Sequence, residues 1–544
     1  MPYGILDSIS IQIGTFARDN NSSWNFYISE VDTGKIVYED TFNASLIEDG
    51  GYYHQELKRR ITVGKGKKNS YTIVAEDVNK ISSLAFYKSS ISKIDDALLF
   101  HNGTIINGTM CFKVYGGDID YWWHGFVCVL ILYIMAIVLR AFIVANKNQN
   151  CIDDKYFQGM IIGALTFILL CTFAINGSFT DENDNLRGGM VIANGGVLYK
   201  DYVTQHTPVT YYLCAVFAFF GAGSVEQFRL SYYFFEAIIW CWVYVRNVEV
   251  YGKKKMAILP IIETICIVSI INPYGFQILS DRLQGMMIVI LLLECLRYYR
   301  DKNIGWSRSI ILSICIWGSV GAAFVSVYAL IWVALGVLVL EIINWKKQKV
   351  TIGIIVNRYY KFVLSLLVPF IITIIYFKIN HSLKRAFDQF YTFNREVYPK
   401  YISGFGENIS QPFIDGVQNF FNIVADNFYS LLTAKANNIV MLQVLIIVGV
   451  LMVLIELYHK RRYFEFFVLF LVMIFSATRG YDLLGLAAWY VALMIVAVYA
   501  ELIQKVVPKI GRPVFGIASV ILLSKYVTMV GNNLRRKQTS ISEL

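Results

Sequence analysis

The stretch Phe179–Pro208, FTDENDNLRGGMVIANGGVLYKDYVTQHTP, decides how the chain reads. It separates an apolar run, Tyr156–Asn176, from further apolar sequence that begins at Val209. Three acids open it (Asp181, Glu182 and Asp184); Tyr199-Lys200-Asp201 and His206-Thr207-Pro208 close it. Carboxylates at the mouth of a membrane span are costly unless structure or chemistry uses them. Residues 177–208 are therefore predicted to be a site-bearing loop, with later helices walling the cavity around it.

Composition supports a membrane setting. The chain has 544 residues, of which 56% are hydrophobic, against roughly 45–50% in soluble domains. Its mean hydropathy is +0.51. Several nearly uncharged runs reach about 18 residues, enough to cross a hydrocarbon core of about 30 Å. They are continuous rather than alternating, which excludes a transmembrane barrel. The formal charge of +10 lies in short clusters between the apolar runs. That pattern fits retention of basic loops in the cytoplasm and gives no reason to invoke nucleic acid. The nine cysteines include no CxxC pair, and most read as small apolar residues within spans.

Residues 1–117 differ in kind. Short β-type runs, Ser8–Thr15, Trp24–Glu30, Lys35–Asp40, Tyr71–Ala75, Leu84–Tyr87 and Thr109–Tyr115, are punctuated by turn residues, which predicts a small β-sandwich. Trp24, Phe26 and Ile28 alternate with polar neighbours, as one buried sheet face requires. The first 30 residues lack the apolar core of a signal peptide. Either the first span translocates this domain, or a further helix precedes it. Asp118-Ile119-Asp120 abuts Tyr121-Trp122-Trp123 and reads as a solvated edge beside an interfacial aromatic belt.

Residues 118–155 then hold one span (122–145) and a cytoplasmic loop, and residues 156–532 a helical domain. Spans are predicted near 156–176, 228–245, 256–272, 283–299, 308–322, 324–344, 359–378, 439–457, 463–478, 484–506 and 513–530. Residues 533–544 form a polar tail. The fold class is a mainly α polytopic membrane protein of about 12–13 apolar helices behind a β-sandwich. Basic clusters at Lys253–Lys255, Arg297–Lys302, Lys346-Lys347 with Lys349, and Lys460–Arg462 belong in the cytoplasm by the positive-inside rule. Loops 177–208 and 379–438 then lie outside the plasma membrane. The piece Val209–Ala222 is too short to cross and is predicted to lie along or dip into the outer face.

From Gly188 the chain reads GGMVIANGGVLYKDYVTQHTPVTYYLCAVFAFFGAGSVEQFRL. With Asp181-Glu182 before it, this string resembles the GT-C superfamily, in particular its protein O-mannosyltransferase and aminoarabinose-transferase branch. There an acidic pair is followed by a Gly, a Tyr-x-Asp, a His-x-Pro or Pro-Pro, an aromatic-Gly and an Arg-Leu. Here these are Gly195-Gly196, Tyr199-Lys200-Asp201, His206-Thr207-Pro208, Phe220-Gly221 and Arg229-Leu230. Thr207 departs from the pattern, since a second proline is common there. The N-terminal segment resembles jelly-roll-like modules of some bacterial envelope glycosyltransferases.

The resemblance implies an extracytoplasmic transferase that takes a sugar from a polyprenyl-phosphate donor to a glycan or lipid acceptor, usually with inversion. An acceptor hydroxyl needs a general base, and Asp181 is the first candidate, with Glu182 next. The leaving lipid phosphate needs positive charge; candidates are Arg187, Lys200, Arg229, Lys384, Arg385, Arg395 and Arg479. Family members often carry a phosphate-binding cation near the position of Arg479, although pairing with Asp482 or snorkelling would equally explain it. Asp184, Tyr199, Asp201 and His206 complete the predicted substrate set. Asp281 reads as a second donor-site acid or, more cheaply, a helix cap. No cofactor is obligatory, no metal-ligand pattern stands out, and a divalent ion at the donor is left open. Three other classes stay in view. An envelope polysaccharide polymerase would lean on paired arginines. A transporter or flippase would carry ionisable groups near the bilayer midplane and internal repeats; few midspan charges occur beyond Glu236, Glu263 and Glu294, and no convincing repeat is present. A non-catalytic scaffold would make Asp181 dispensable.

Overall fold

The chain divides into two units, Met1–Gly125 and Phe126–Leu544. The computed structural model describes residues 4–15, 23–31, 33–63, 69–75, 84–89, 99–101, 104–106, 109–115, 121–147, 150–174, 180–270, 275–301, 303–348, 352–397, 418, 421–422, 424–426, 428–430, 433, 438–476 and 486–506. Among them helix dominates, and a small antiparallel-sheet region precedes it.

In the first unit the long strands are β1 (Gly4–Gly14), β2 (Ser23–Glu30), β3 (Ile36–Asn43), β4 (Tyr52–Val63) and β5 (Asn69–Ala75). Short strands follow, and the last of them, Phe112–Tyr115, pairs with β1. That strand, β1 and β4 make one antiparallel sheet; β3, β2 and β5 make another. Ile9, Ile11 and Ile13 of β1 meet Phe26, Ile28, Tyr38 and Phe42 in a single shared core. Sequence patterning missed β4. Its inward positions Tyr53, Gln55 and Leu57 do alternate with exposed Tyr52, His54, Glu56 and Lys58, but a glutamine on the inner row and a run of charges hide the period.

Among the described residues, four helices are long and apolar enough to cross a membrane: Trp122–Asn146, Ser326–Ile343, Tyr359–Ile379 and Val440–His459. In the first and third, only 6% of the apolar window is buried within the protein. Their outward Leu, Ile and Val side chains therefore need an apolar surrounding. This is a membrane protein by that measure; among the described residues the larger count of spans is not reached. The reason lies in the interior helices. α5 (Val225–Tyr251), α6 (Lys253–Ile270) and α7 (Ser280–Asp301) are 27, 18 and 22 residues long, yet carry Arg229, Glu236, Arg246, Glu263, Arg282 and Glu294. Shorter apolar helices include α2 (Lys155–Cys171) and α4 (Val209–Phe219). The predicted span 513–530 lies outside the described residues.

The predicted loop 177–208 is corrected by the structure. Half of it is a helix, α3 (Thr180–Ala193). Asp181 and Glu182 occupy its first turn, where acids complement the helix dipole. α3 packs on α4 through Gly188 and Gly189. A Cβ at Gly189 would stand 2.5 Å from Cys214 Cβ and 2.8 Å from the Cys214 backbone carbon. Only the missing side chain lets the two helices close. At 11 residues, α4 is about 16 Å long by its rise per residue, well short of a crossing.

Candidate functional site around α3

The helical period sorts the acids of α3. Glu182, Asn185, Leu186 and Gly189 are buried at the spacing of one helix face. Asp181, Asp184 and Arg187 run along another at intervals of three, from exposed through half-buried to exposed. The neighbouring acids Asp181 and Glu182 thus have opposite surroundings.

Glu182 has no exposed surface. Arg229 of α5 donates to both its oxygens, Nε to Oε1 at 2.8 Å and Nη2 to Oε2 at 2.5 Å. The Ile278 N–H donates to Oε1 as well, at 3.0 Å. Arg229 spends Nη1 on the Ala174 carbonyl, 3.1 Å away, and its guanidinium stacks over Phe276. Two predicted roles are corrected here. Glu182 as an alternative base and Arg229 as a phosphate ligand both need accessible groups, and these two neutralise each other inside the protein.

Asp184 is held by neutral donors. Tyr202 OH donates to Oδ1 at 2.6 Å, Thr204 Oγ1 to Oδ2 at 3.1 Å, and Tyr211 OH also reaches Oδ2. Burial, and then the bond to Asp184, pushes the Tyr202 phenol above its usual range, so it remains a donor. Asp184 is thereby the anchor of the loop rather than a free acid.

That loop, residues 194–208, is braced from both sides. Asp201 accepts from the Val197 N–H at 2.8 Å, a turn brace that accounts for its place in the Tyr-x-Asp motif. Tyr199 takes φ +66°, a left-handed backbone uncommon for a residue other than glycine. Its ring is 1% exposed, packed against Phe377 and Phe390, and its hydroxyl donates to the His206 carbonyl at 2.8 Å. Tyr199 is therefore corrected from substrate contact to buried pillar. Across it lie α11 (Leu383–Phe387) and a wider-turned π-helical stretch, Asp388–Val397. Gln389 accepts from the Thr204 N–H at 3.1 Å and donates to the Tyr199 carbonyl at 3.0 Å. Asn394 donates to the Gln205 carbonyl at 2.7 Å. No sequence signal marked Gln389 or Asn394, since each bond joins residues 185 to 190 positions apart.

Other predicted residues keep exposed or half-buried side chains. Asp181 is exposed and has no hydrogen-bond or ion-pair partner among the described residues. Arg187, beside Tyr202, and Lys200 are exposed and likewise unpaired among them. His206 is half-buried, its N–H bonded to Thr204 Oγ1 at 3.2 Å. Lys384 and Arg385 on α11 are exposed, whereas Arg395 turns one nitrogen onto Tyr391 OH at 3.2 Å. Asp281 lies in the first turn of α7; Arg479 lies outside the described residues. Among those residues, no group of three or more His, Cys, Asp or Glu side chains is placed to hold a metal ion. No protein-family model, curated protein or solved structure matches the chain.

Proposed function

We propose that the protein is an integral-membrane glycosyltransferase that moves a sugar from a polyprenyl-phosphate donor to a cell-envelope acceptor, with Asp181 as general base. One observation carries the reading: of three neighbouring acids, two are consumed by structure, and Asp181 is left exposed with no hydrogen-bond or ion-pair partner among the described residues. In the reaction the acceptor hydroxyl oxygen attacks the anomeric carbon, its proton passes to the Asp181 carboxylate, and the bond from that carbon to the phosphate oxygen breaks. Negative charge develops on the departing lipid phosphate. The free cations Arg187 and Lys200 lie nearby on α3 and its following loop to receive it. Arg187 suits a bidentate phosphate contact better than lysine does.

α5 supports a site on the outer side of the membrane. Its 27 residues span about 40 Å, with Arg229 against Glu182 at one end and Lys253–Lys255 just past the other. Lysines retained in the cytoplasm put α3 on the outer face, where polyprenyl-linked sugars and envelope acceptors meet.

The test uses purified protein, labelled polyprenyl-phosphate sugars and a crude acceptor extract. Asp181→Asn should reduce loss of label from lipid by about 10²–10⁴-fold while donor binding persists. Equal turnover by both proteins would refute Asp181 as the base, and no turnover of any donor would refute the transferase. A second reading, a polytopic transporter, is favoured by one observation: Glu263, 1% exposed, has no hydrogen-bond partner for either carboxyl oxygen among the described residues. Transport of a lipid-linked sugar without cleavage of its phosphate bond would select it.

A further inference from the structure

The segment that braces the site loop has a second, uncovered face. Along residues 382–397, side chains four apart fall into two rows. The first row, Ser382, Ala386, Phe390 and Asn394, passes from buried to half-buried against the bundle. The second, Leu383, Phe387, Tyr391 and Arg395, is exposed except at the half-buried Tyr391. It is continuous: the Phe387 and Tyr391 rings stand 4.9 Å apart, and the Arg395 guanidinium caps Tyr391 at 6.0 Å. In an α-helix a spacing of four overshoots the turn of about 3.6 residues, so a row winds around the axis. The π-helical turns from Asp388 onward are wider. They reverse that drift and keep both rows straight.

The outer row extends onto Phe324, whose ring meets Phe390 and Tyr391 at 5.9 and 5.8 Å. Phe324, Leu383 and Phe387 are all exposed. The element before the row indicates what covers it. The apolar helix Ile352–Ile379 runs into this segment with only 6% of its apolar window buried. Its last residue, Ile379, is 69% exposed. The lipid that must surround that helix therefore reaches the start of the row. Lys378, Lys384 and Arg385 gather at the junction. All three are exposed, and their side chains have no hydrogen-bond or ion-pair partner among the described residues. An apolar row flanked by cations is the pattern of a helix lying in the headgroup region of a bilayer. We infer that residues 382–397 are a membrane-surface element that binds a leaflet bearing anionic headgroups, and that this contact holds the site loop in place.

The inner side of the same segment carries the consequence. Gln389 bonds Thr204 and Tyr199, Asn394 bonds Gln205, and the Phe390 ring packs on Tyr199 at 6.3 Å. With Leu383 and Phe387 seated at the acyl boundary, the segment cannot lift away without exposing apolar surface to water. With Lys384 and Arg385 on headgroup phosphates, lifting also breaks charge contacts. Lys378 adds a third cation at the end of the span, against the exposed acids Asp388 and Glu396. Opening of the loop, which needs the brace to yield, thereby depends on the charge of the surrounding leaflet. The partner is bulk lipid, and neither the contact nor its transmission rests on the transferase reading.

The test is amide hydrogen exchange on the intact protein in nanodiscs of phosphatidylcholine, with or without phosphatidylglycerol, and with no sugar donor present. Wild type should exchange about 5–30-fold more slowly in the anionic discs, over both 382–397 and 197–206, the effect of two cations at a charged surface. Lys384→Gln combined with Arg385→Gln should remove that difference; both side chains are exposed, so the fold is kept. Gln389→Ala combined with Asn394→Ala should remove it in the loop and leave it in the segment. Equal wild-type exchange in the two lipids overturns the inference, as does a difference that survives loss of both cations. Protection by inorganic phosphate in neutral discs would reveal a free-anion site and overturn the membrane-surface reading. A loop that still follows the lipid after Gln389 and Asn394 are replaced would overturn the transmission.

Discussion

Arg229 closes on Glu182 with two parallel hydrogen bonds, at 2.8 and 2.5 Å, and neither side chain has any exposed surface. The pair ties α3 to α5 directly behind Asp181. It turns the second acid of the motif, and the arginine that closes it, into the frame on which the first acid is presented.

Glu182→Gln should therefore act on folding before it acts on chemistry. Removing one partner of a buried ion pair strands the other charge, at about 3–5 kcal/mol. The midpoint of thermal unfolding in detergent should fall steeply. In the fraction that stays folded, donor binding should be retained. A variant of wild-type stability that has lost turnover would return Glu182 to the role of base.

The glycine pair makes a separable prediction. Gly189→Ala gains about 1 kcal/mol of helix propensity, but the new methyl meets Cys214 Cβ and backbone at 2.5 and 2.8 Å. Backbone cannot turn aside as a flexible side chain can, and overpacking of this kind costs about 1–3 kcal/mol. A net loss of stability is expected. Gly125→Ala on the first apolar helix, with nothing within 4 Å, should be neutral or stabilising. Paired unfolding curves decide it.

Why part of this was legible in the sequence and part was not follows from range. The apolar run 122–146 declares itself residue by residue, as do Phe26 and Ile28, because burial there repeats with the local period. α3 was hidden because its buried face is written in polar letters. Glu182, Asn185 and two glycines read as loop chemistry until Arg229, 47 residues on, supplies the partner that lets a glutamate go inside. The cage on Asp184 is equally invisible, since its donors sit 18, 20 and 27 residues away.

Acid should weaken the joint between the first apolar helix and α2. Arg140 grips Asp154 with Nε at 3.0 Å and Nη2 at 2.6 Å. That hydrogen bonding holds the Asp154 carboxyl below its ordinary range, with burial opposing and the Phe157 N–H assisting. A depressed folded value stabilises above the unfolded value, near 4, and the contribution is lost as pH falls through the folded value. Asp154→Asn keeps an acceptor for the Phe157 N–H, so the cap survives and the ion pair alone is removed. At pH 7 the variant should be less stable by about 1 kcal/mol, discounted for the partly exposed arginine. Below about pH 4 the gap should close. A gap that stays constant with pH would show that Asp154 acts only as a cap.

Gln389 joins the π-helical stretch to the site loop by two opposed hydrogen bonds, one accepted from Thr204 and one given to Tyr199. Because Tyr199 is held in a left-handed conformation, the loop has a reason to relax once that brace is cut. Each bond is worth about 1 kcal/mol, and 1–2 kcal/mol is a factor of about 5–30 in a local opening equilibrium. Gln389→Ala should therefore speed amide exchange across residues 197–206 by about that factor. Adding Asn394→Ala, which frees the Gln205 carbonyl, should speed it further. Peptides from α3 should keep their protection, since Glu182–Arg229 and Gly188-Gly189 hold that helix independently of the loop. Exchange that rises equally in α3 and the loop would mean that the brace supports the whole bundle end. Exchange that does not change would mean that the Asp184 cage alone keeps the loop in place.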